Sequence, residues 1–379
     1  MDFELTDAQR MFQETAREFA EKELAPIAAK MDETGEFPAE TIRAMGALGF
    51  MGVSVPPEFG GAGADSICYA LALEEISRAS AAHGVIMSVN NSLYCAPLLA
   101  YGTEQQRQQF LVPVASGDAV ACFCLSEPSA GSDAGSLQTT LRRDGDAYIL
   151  NGTKNFITNG NEARFAIVFA TLDRRLGSKG ICAVLVPRDT PGFTVARLEK
   201  KLGLHGSSCA QLCFDDCRVP ASHLLGQEGE GLKIALATLD IGRIGIAAQA
   251  IGIGQAALDA SIDYAKQRVQ FGKPIANFQA IQFMIADMAT EIEAARLLTL
   301  RAALLKDQHV RHTLESSKAK LYASETAVRA ALKSIQIFGG YGYMMDYPVQ
   351  RFLRDAKVTE IYEGTSEVQR MVIAQGLLA

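Results

Sequence analysis

The sequence predicts a mainly α-helical chain with a β middle domain, ordered α, then β, then α. Three observations predict it. Apolar residues recur at helical spacing through residues 1–118 and again from Gly231 to Phe338. Between them, short runs rich in β-branched and aromatic residues alternate with Asp-Gly, Asn-Gly and Pro-Gly pairs. At 379 residues the chain is also too long for one small core, so two or three domains are expected.

In the first zone Thr6 caps a helical stretch running to about Glu23, which Pro26 ends. Pro38–Leu48, Ser66–Ser80 and Thr103–Ala115 follow with helical spacing. The run Pro56-Pro57-Glu58-Phe59-Gly60-Gly61 interrupts them with one rigid and one flexible turn. The second zone offers strands at Ala163–Thr171, Ile181–Pro187, Gly192–Arg197 and Ala210–Asp215. Turns are expected at Asp144-Gly145, Asn151-Gly152, Asn159-Gly160 and Pro191-Gly192, which reads as antiparallel β, a barrel or small sandwich. The third zone holds Gly231–Gln267, Phe278–Lys306 and Thr313–Phe338, long Ala-rich helices able to pack as a bundle. Domains are expected at 1–118, 119–226 and 227–379.

Composition narrows the function. A net charge of −7 argues against nucleic acid as the main partner, because phosphate binding needs a basic face. Met1-Asp2-Phe3-Glu4 is acidic and has no apolar core of a secretory signal. The apolar run Ile234–Leu258 carries Asp240 and Arg243, so it reads as a buried helix and no integral membrane association is expected. Eight cysteines without an export signal suggest reduced thiols inside a cell. His205, Cys209, Cys213 and Cys217 recur every four residues, which would line one face of a helix. Leu212-Cys213-Phe214 reads as a strand, with Asp215-Asp216 as its turn. Buried thiols, and no metal, are therefore expected.

Several segments carry chemistry. In Ile361-Tyr362-Glu363-Gly364-Thr365-Ser366-Glu367-Val368-Gln369-Arg370, a carboxylate precedes a new helix. Ser366 and Gln369 fit a capping box. Gly364 allows a tight turn, and free N–H groups at the helix start offer an oxyanion donor near a base. On this segment alone a solvated loop competes. Leu125–Asp133 crowds hydroxyls and small residues into a loop able to wrap a pyrophosphate, or to be a polar hairpin. Phe156-Ile157-Thr158 puts an aromatic and a hydroxyl at a strand end, suited to a flat heterocycle, although a core Phe is the commoner explanation. Arg268–Gly272 offers a cation and Phe271 between two helices. Gln336-Ile337-Phe338-Gly339-Gly340-Tyr341-Gly342 has more glycines than a helix cap requires. Gly252-Ile253-Gly254-Gln255-Ala256-Ala257 fits a dinucleotide pattern but lies inside a helix, where small residues serve packing.

Taken in order on an α–β–α chain, these segments resemble the acyl-CoA dehydrogenase family, and the short-chain (butyryl-CoA type) members most. Thr238-Leu239-Asp240-Ile241-Gly242-Arg243-Ile244-Gly245-Ile246-Ala247 adds to the likeness. The resemblance implies an N-terminal α-helical domain, a β-barrel and a C-terminal four-helix bundle, with FAD bound to a homotetramer. It implies that Phe123, Cys124, Leu125, Ser126, Gly131, Ser132, Phe156, Ile157 and Thr158 hold the flavin and its pyrophosphate. Arg268, Phe271, Gln279, Gln336, Ile337, Gly339 and Gly340 would reach FAD across a subunit interface. Thr365, Ser366 and Glu367 would touch it beside the base. Ser132, Asp240, Arg243 and Gly364 would contact the acyl-CoA. Glu363 matches the catalytic base. Some branched- and long-chain members carry that base at the position of Gly242, where glycine has no side chain to serve.

Three departures stand out. Phe156 occupies a position where the family often has Trp, and this chain has no Trp. Ser129 replaces a usual Gly, and His205 replaces an Arg found in close relatives. The implied reaction is removal of an α-proton by Glu363 with hydride loss from the β-carbon to flavin, yielding trans-2-enoyl-CoA. Electrons then pass to an electron-transfer flavoprotein. The substrate expected is a short straight or branched acyl-CoA, with medium-chain, acyl-CoA oxidase and flavin monooxygenase readings as rivals. A non-enzymatic helical scaffold is the different-class alternative. A bacterial cytoplasmic location is expected, or the mitochondrial matrix for a processed eukaryotic chain.

Overall fold

A computed structural model describes residues 4–378. Met1–Phe3, part of the acidic start considered above, and Ala379 lie outside the described residues. The chain begins with α1 (Asp7–Phe19), which continues through a π-type turn to Leu24. Thr6 Oγ1 accepts the Gln9 N–H at 3.2 Å and Gln9 Oε1 accepts the Thr6 N–H at 3.0 Å, so the expected cap is a full capping box. Next come α2 (Ala28–Thr34), α3 (Ala39–Ala47), α4 (Ser66–Ala79), α5 (Ala81–Ser88), α6 (Ala96–Tyr101), α7 (Glu104–Gln106) and α8 (Val112–Ala115). Asp65 caps α4 by accepting the Cys68 N–H at 2.7 Å. The fully buried Ala81–Cys95 stretch gave no amphipathic signal, because all its faces are covered.

The β zone contains β1 (Ala121–Cys124), β2 (Thr140–Asp144), β3 (Ala147–Thr158), β4 (Phe165–Thr171), β5 (Ile181–Pro187), β6 (Phe193–Leu198), β7 (Cys209–Pro220) and β8 (Leu224–Leu225). The pairing order is β6-β7-β3-β2-β4-β5-β8, with β1 beside β4. The sheet is mixed rather than antiparallel throughout: β1 runs parallel to β4, and β2 meets β4 in parallel at Thr140 and Thr171. Two expected turns are bulges instead. Asn151-Gly152 lies within β3, and Asp215-Asp216 lies opposite it within β7. Asn151 and Asp216 exchange hydrogen bonds at 2.9 and 2.8 Å across this bulge, which lets both strands continue. Cys209, Cys213 and Cys217 therefore lie along β7, and the His205 ring is tied to the carbonyls of Asp32 and Lys201.

β4 is buried along its whole length because both its faces are covered. Ile167 and Phe169 join the helical core, with Ala183 and Leu185 of β5. Ala166, Val168 and Ala170 face a second core with Cys182 and Val184.

α9 (Gly231–Gln267) then runs through the centre of the molecule. After the β9–β10 hairpin (Val269–Gln270 and Lys273–Pro274) come α10 (Gln279–Asp307), α11 (Thr313–Phe338), α12 (Val349–Lys357) and α13 (Ser366–Leu378). α9, α10 and α11 pack on one another, α13 packs on α11, and α4 lies against α9 and α10. Small residues permit these approaches. A Cβ on Gly245 would meet the Tyr69 hydroxyl at 2.5 Å and Ser88 Oγ at 2.6 Å. One on Gly252 would collide with the α4 backbone, which accounts for the glycine pattern inside this helix.

Candidate active site

Glu363 sits on the turn between α12 and α13. Its φ is +54° and that of Gly364 is +95°, so two successive residues are left-handed. A non-glycine residue there costs about 1 kcal/mol or more and persists only where its surroundings hold it. Two side chains hold this one. Lys320 of α11 donates from Nζ to Gly364 O at 2.7 Å. Gln369 Nε2 donates to the same oxygen at 2.9 Å and to Glu363 O at 3.2 Å. Upstream, the Tyr362 hydroxyl bonds Gln249 of α9, whose Nε2 donates to Ala81 O at 2.9 Å.

This anchoring corrects the capping expectation. Thr365, not Ser366, caps α13, accepting the Val368 N–H at 3.3 Å. Gln369 reaches past the helix start to the turn carbonyls, and Ser366 Oγ is buried without a partner.

The Glu363 carboxylate lies against Gly242 of α9. A Cβ at 242 would overlap Oε2, so glycine there makes the space the carboxylate fills. The residue as a whole is half-buried, but Oε2 itself is closed to solvent and has no hydrogen-bond partner. Burial pushes the carboxyl up to about 7, with Lys320 and Arg243 pulling the other way. Arg243 is 5% exposed, donates to Asp240 at 2.6 Å and to Ser317 Oγ at 3.1 Å, and keeps a buried, unpartnered Nε. Thr313 donates to the other Asp240 oxygen at 2.6 Å. A carboxylate, a buried cation and an acid-bound network thus meet along one stretch of α9.

The loop after β1 is built around a buried ion pair that sequence reading missed. Lys154 of β3 donates to Glu127 at 2.7 Å and to Leu125 O at 3.1 Å. Glu127 also accepts the backbone N–H groups of Gln138 at 2.5 Å and Thr139 at 3.0 Å. Leu125–Gln138 is thereby fastened at both ends, leaving Gly131 and Ser132 exposed at its tip. Phe123 stacks obliquely on Phe169 at 4.8 Å. Cys124 and Ile157 are buried, so their side chains serve the core. Phe156 is not a core residue: it is 64% exposed and left-handed, with φ +58°. Thr158 beside it is half-buried, and Ser126 O accepts the Asn155 N–H at 2.9 Å.

The remaining expected residues gather elsewhere. Arg268, Ile337, Gly339 and Gly340 line a cleft of about 460 Å³ with Tyr264, Gln270, Ile275, Phe338 and Tyr341. Arg268 lies over the Tyr341 ring at 5.3 Å, and Tyr264 stacks on Phe338 at 4.0 Å. Phe271 is 95% exposed, and Gln279 and Gln336 are exposed as well. No residue of the β1 loop or of the Glu363 turn lines this cleft. One chain therefore presents two separate sets.

Both sets fit FAD. The first offers a bare aromatic plate, hydroxyls, and the buried, unpartnered oxygens of Asn155 and Thr139. The second offers a guanidinium and two glycines whose Cα positions face open space.

Lys320, Gln249, Glu127 and Lys154 were not singled out from sequence, and Gln369 was read only as a helix cap. For Lys320 the available signal was a long cation on the helix face formed by Ser316, Ser317, Ala323 and Ser324.

Three family models match the chain. They are described as the acyl-CoA dehydrogenase N-terminal domain over residues 6–118, the middle domain over 122–217 and the C-terminal domain over 229–378. The chain is 54% identical over 375 residues to the mitochondrial short-chain specific acyl-CoA dehydrogenase of Homo sapiens, spanning 99% of this chain and 91% of that protein. Butyryl-CoA dehydrogenase from Megasphaera elsdenii matches with a TM-score of 0.98 at 46% identity, over 100% of each chain. A chain from a structure described as the electron transferring flavoprotein of Acidaminococcus fermentans matches with a TM-score of 0.99 at 49% identity, again over 100% of each.

Proposed function

Because the chain belongs to the acyl-CoA dehydrogenase family and is an FAD-dependent oxidoreductase, we propose that Glu363 is the base of its reaction. That reaction is the α,β-dehydrogenation of a short-chain acyl-CoA to the trans-2-enoyl-CoA. One observation carries the reading: Oε2 of Glu363 is buried and unpartnered, and fills the space that Gly242 leaves.

An α-proton of a thioester is far too weakly acidic for a carboxylate in water. Burial raises the proton affinity of Glu363 until the carboxyl titrates at about 7, so that about half of it is ionised at neutral pH and that half is a stronger base. Negative charge then grows on the thioester oxygen and needs donors placed beforehand. The Glu363 N–H is one such donor, since among the described residues no backbone acceptor takes it. Gly364, left-handed and without a side chain, lets the substrate approach the turn. Arg243 and Asp240, locked together, orient the acyl-CoA from α9, with Ser132 on the β1 loop. Bound FAD supplies the two-electron acceptor, which no side chain here can provide. Phe156 and the fastened Leu125–Gln138 loop would hold it, and Thr365–Glu367 would flank it.

The finer readings belong to the same proposal. Arg268, Phe271, Gln279, Gln336, Ile337, Gly339 and Gly340 would serve the cofactor of a neighbouring subunit in a homotetramer. Their separation from the Glu363 set and the exposure of Phe271 support this. Domain boundaries fall at 1–118, 119–226 and 227–379. Electron-transfer flavoprotein is the acceptor, in the bacterial cytoplasm or the mitochondrial matrix.

Anaerobic bleaching of the bound flavin against acyl-CoAs of rising length tests the function. Butyryl-CoA should bleach the wild-type protein. Glu363→Gln should retain FAD and lose most of the bleaching. Near-normal turnover of butyryl-CoA by that variant would remove Glu363 from the role of base.

A further inference from the structure

Lys320 has no evident structural reason to be a lysine. It is 0% exposed, and its neighbours one turn away on the buried face of α11 are Ser316, Ser317, Ala323 and Ser324. Among the described residues its Nζ has one hydrogen-bond acceptor, Gly364 O, and no carboxylate within ion-pair distance. Burying an ammonium on one carbonyl is costly. Gln369 shows that a neutral amide can serve the same oxygen, at 2.9 Å. A hydrogen bond alone therefore does not account for the charge.

The charge does have a recipient. Glu363 is the residue next to the carbonyl that Lys320 holds, and its Oε2 is buried without a donor. Charged and titratable groups face it from α9, α4, the turn itself and α11. α9 contributes Arg243, whose charge is matched by Asp240 at 2.6 Å. α4 contributes the Tyr69 hydroxyl, which is neutral and bonded to Ser88. The turn contributes the Tyr362 hydroxyl, bonded to Gln249. α11 contributes Lys320, towards which Glu360 and Glu367 also act from farther along the chain. Of the two cations that favour ionised Glu363, Lys320 has the larger influence, and Arg243 already has a carboxylate partner.

We propose that Lys320 is a positioning residue for Glu363: its hydrogen bond to Gly364 O fixes the left-handed turn that aims the carboxylate, and its charge keeps that carboxylate ionised and able to accept a proton at neutral pH. This rests on Glu363 being the base. It assigns to Lys320 a role in the reaction without contact with the reacting atoms. Burial in turn weakens the hold of Lys320 on its own proton, which it releases at about 8. The influence on Glu363 is thus strongest below that pH and fades above it.

The test compares K320R, K320Q and K320M with the wild type in the pH profile of kcat/KM for butyryl-CoA from pH 5.5 to 9. FAD content and thermal midpoint are measured alongside. K320R should keep the wild-type acidic limb. K320Q and K320M should retain FAD, with their acidic limb moved to higher pH. Their rates should fall about tenfold at pH 6, equivalent to one unit in the controlling ionisation, and approach the wild type by pH 9. A loss of the same size at every pH would mean that Lys320 only supports the fold, and would overturn the proposal. So would an unmoved acidic limb in K320Q. If K320M does not fold, K320Q against K320R decides. Failure of the base reading itself appears separately, as retained turnover in E363Q.

Discussion

Replacing Glu363 with Gln should stabilise the fold, and the gain should depend on pH. Burial raises the carboxyl from 4.5 to about 7 in the folded chain. A group that binds its proton more tightly when folded favours folding while protonated and opposes it once ionised. The penalty is therefore absent well below pH 4.5, grows as pH rises towards 7, and is complete by about pH 8. At 1.36 kcal/mol for each factor of ten, the change from 4.5 to about 7 corresponds to about 3 kcal/mol. Since part of the residue is open to solvent, about 2–3 kcal/mol is the expected size. The neutral amide of Gln escapes this penalty. With about 2.1 cal/mol/K of unfolding entropy per residue over 379 residues, the midpoint should rise about 3 °C at pH 8. At pH 5 the advantage should shrink to about 1 °C, because the folded wild type is then protonated. Thermal unfolding of both proteins at matched FAD content, at pH 8 and pH 5, measures this. An equal difference at both pH values, or a lower midpoint for the variant at pH 8, would refute the reasoning.

Two further outcomes follow from the packing. Gly242→Ala should hold or raise stability, since Ala favours a helix interior over Gly by about 1 kcal/mol. It should nonetheless lower kcat/KM by about tenfold or more, because the new Cβ displaces the movable Glu363 carboxylate, as steady-state kinetics at unchanged FAD content will show. Lys154→Met should cost about 3 kcal/mol by leaving Glu127 buried without its cation. It should also lower FAD content on purification by loosening the Leu125–Gln138 loop, read from the flavin-to-protein absorbance ratio.

Local signals made much of this molecule legible. Gly231–Gln267 and Thr313–Phe338 match α9 and α11, since apolar spacing and the glycines after Phe338 act within a few residues. The Thr6 cap and the new helix after Glu363 were legible for the same reason. What escaped depends on distant partners. Asn151-Gly152 carries turn chemistry, yet Asp216 draws it into a paired bulge. Glu127 and Lys154 look like ordinary surface charges until the fold buries them together. Phe156 reads as a core aromatic or as a plate for a flat ring, and its exposure depends on a left-handed backbone that the sequence does not announce. Ser366 and Gln369 have capping-box spacing, but the strained turn takes Gln369 for its own carbonyls.

The parallel pairing of β1 with β4 bears on how the protein acquires its cofactor. Ala121 must find Phe165 and Cys124 must find Val168 across an intervening hairpin of β2 and β3. Parallel strands also send their following segments out at the same rim, where Arg174 donates to Gln138 O at 2.8 Å. The Leu125–Gln138 loop thus takes its shape only after a long-range closure, which is slow relative to local helix formation. Single helices, whose contacts are local, are expected to form before this loop is ordered. Refolding in the presence of FAD should therefore show flavin capture lagging the gain of helix, read from flavin fluorescence against far-UV circular dichroism.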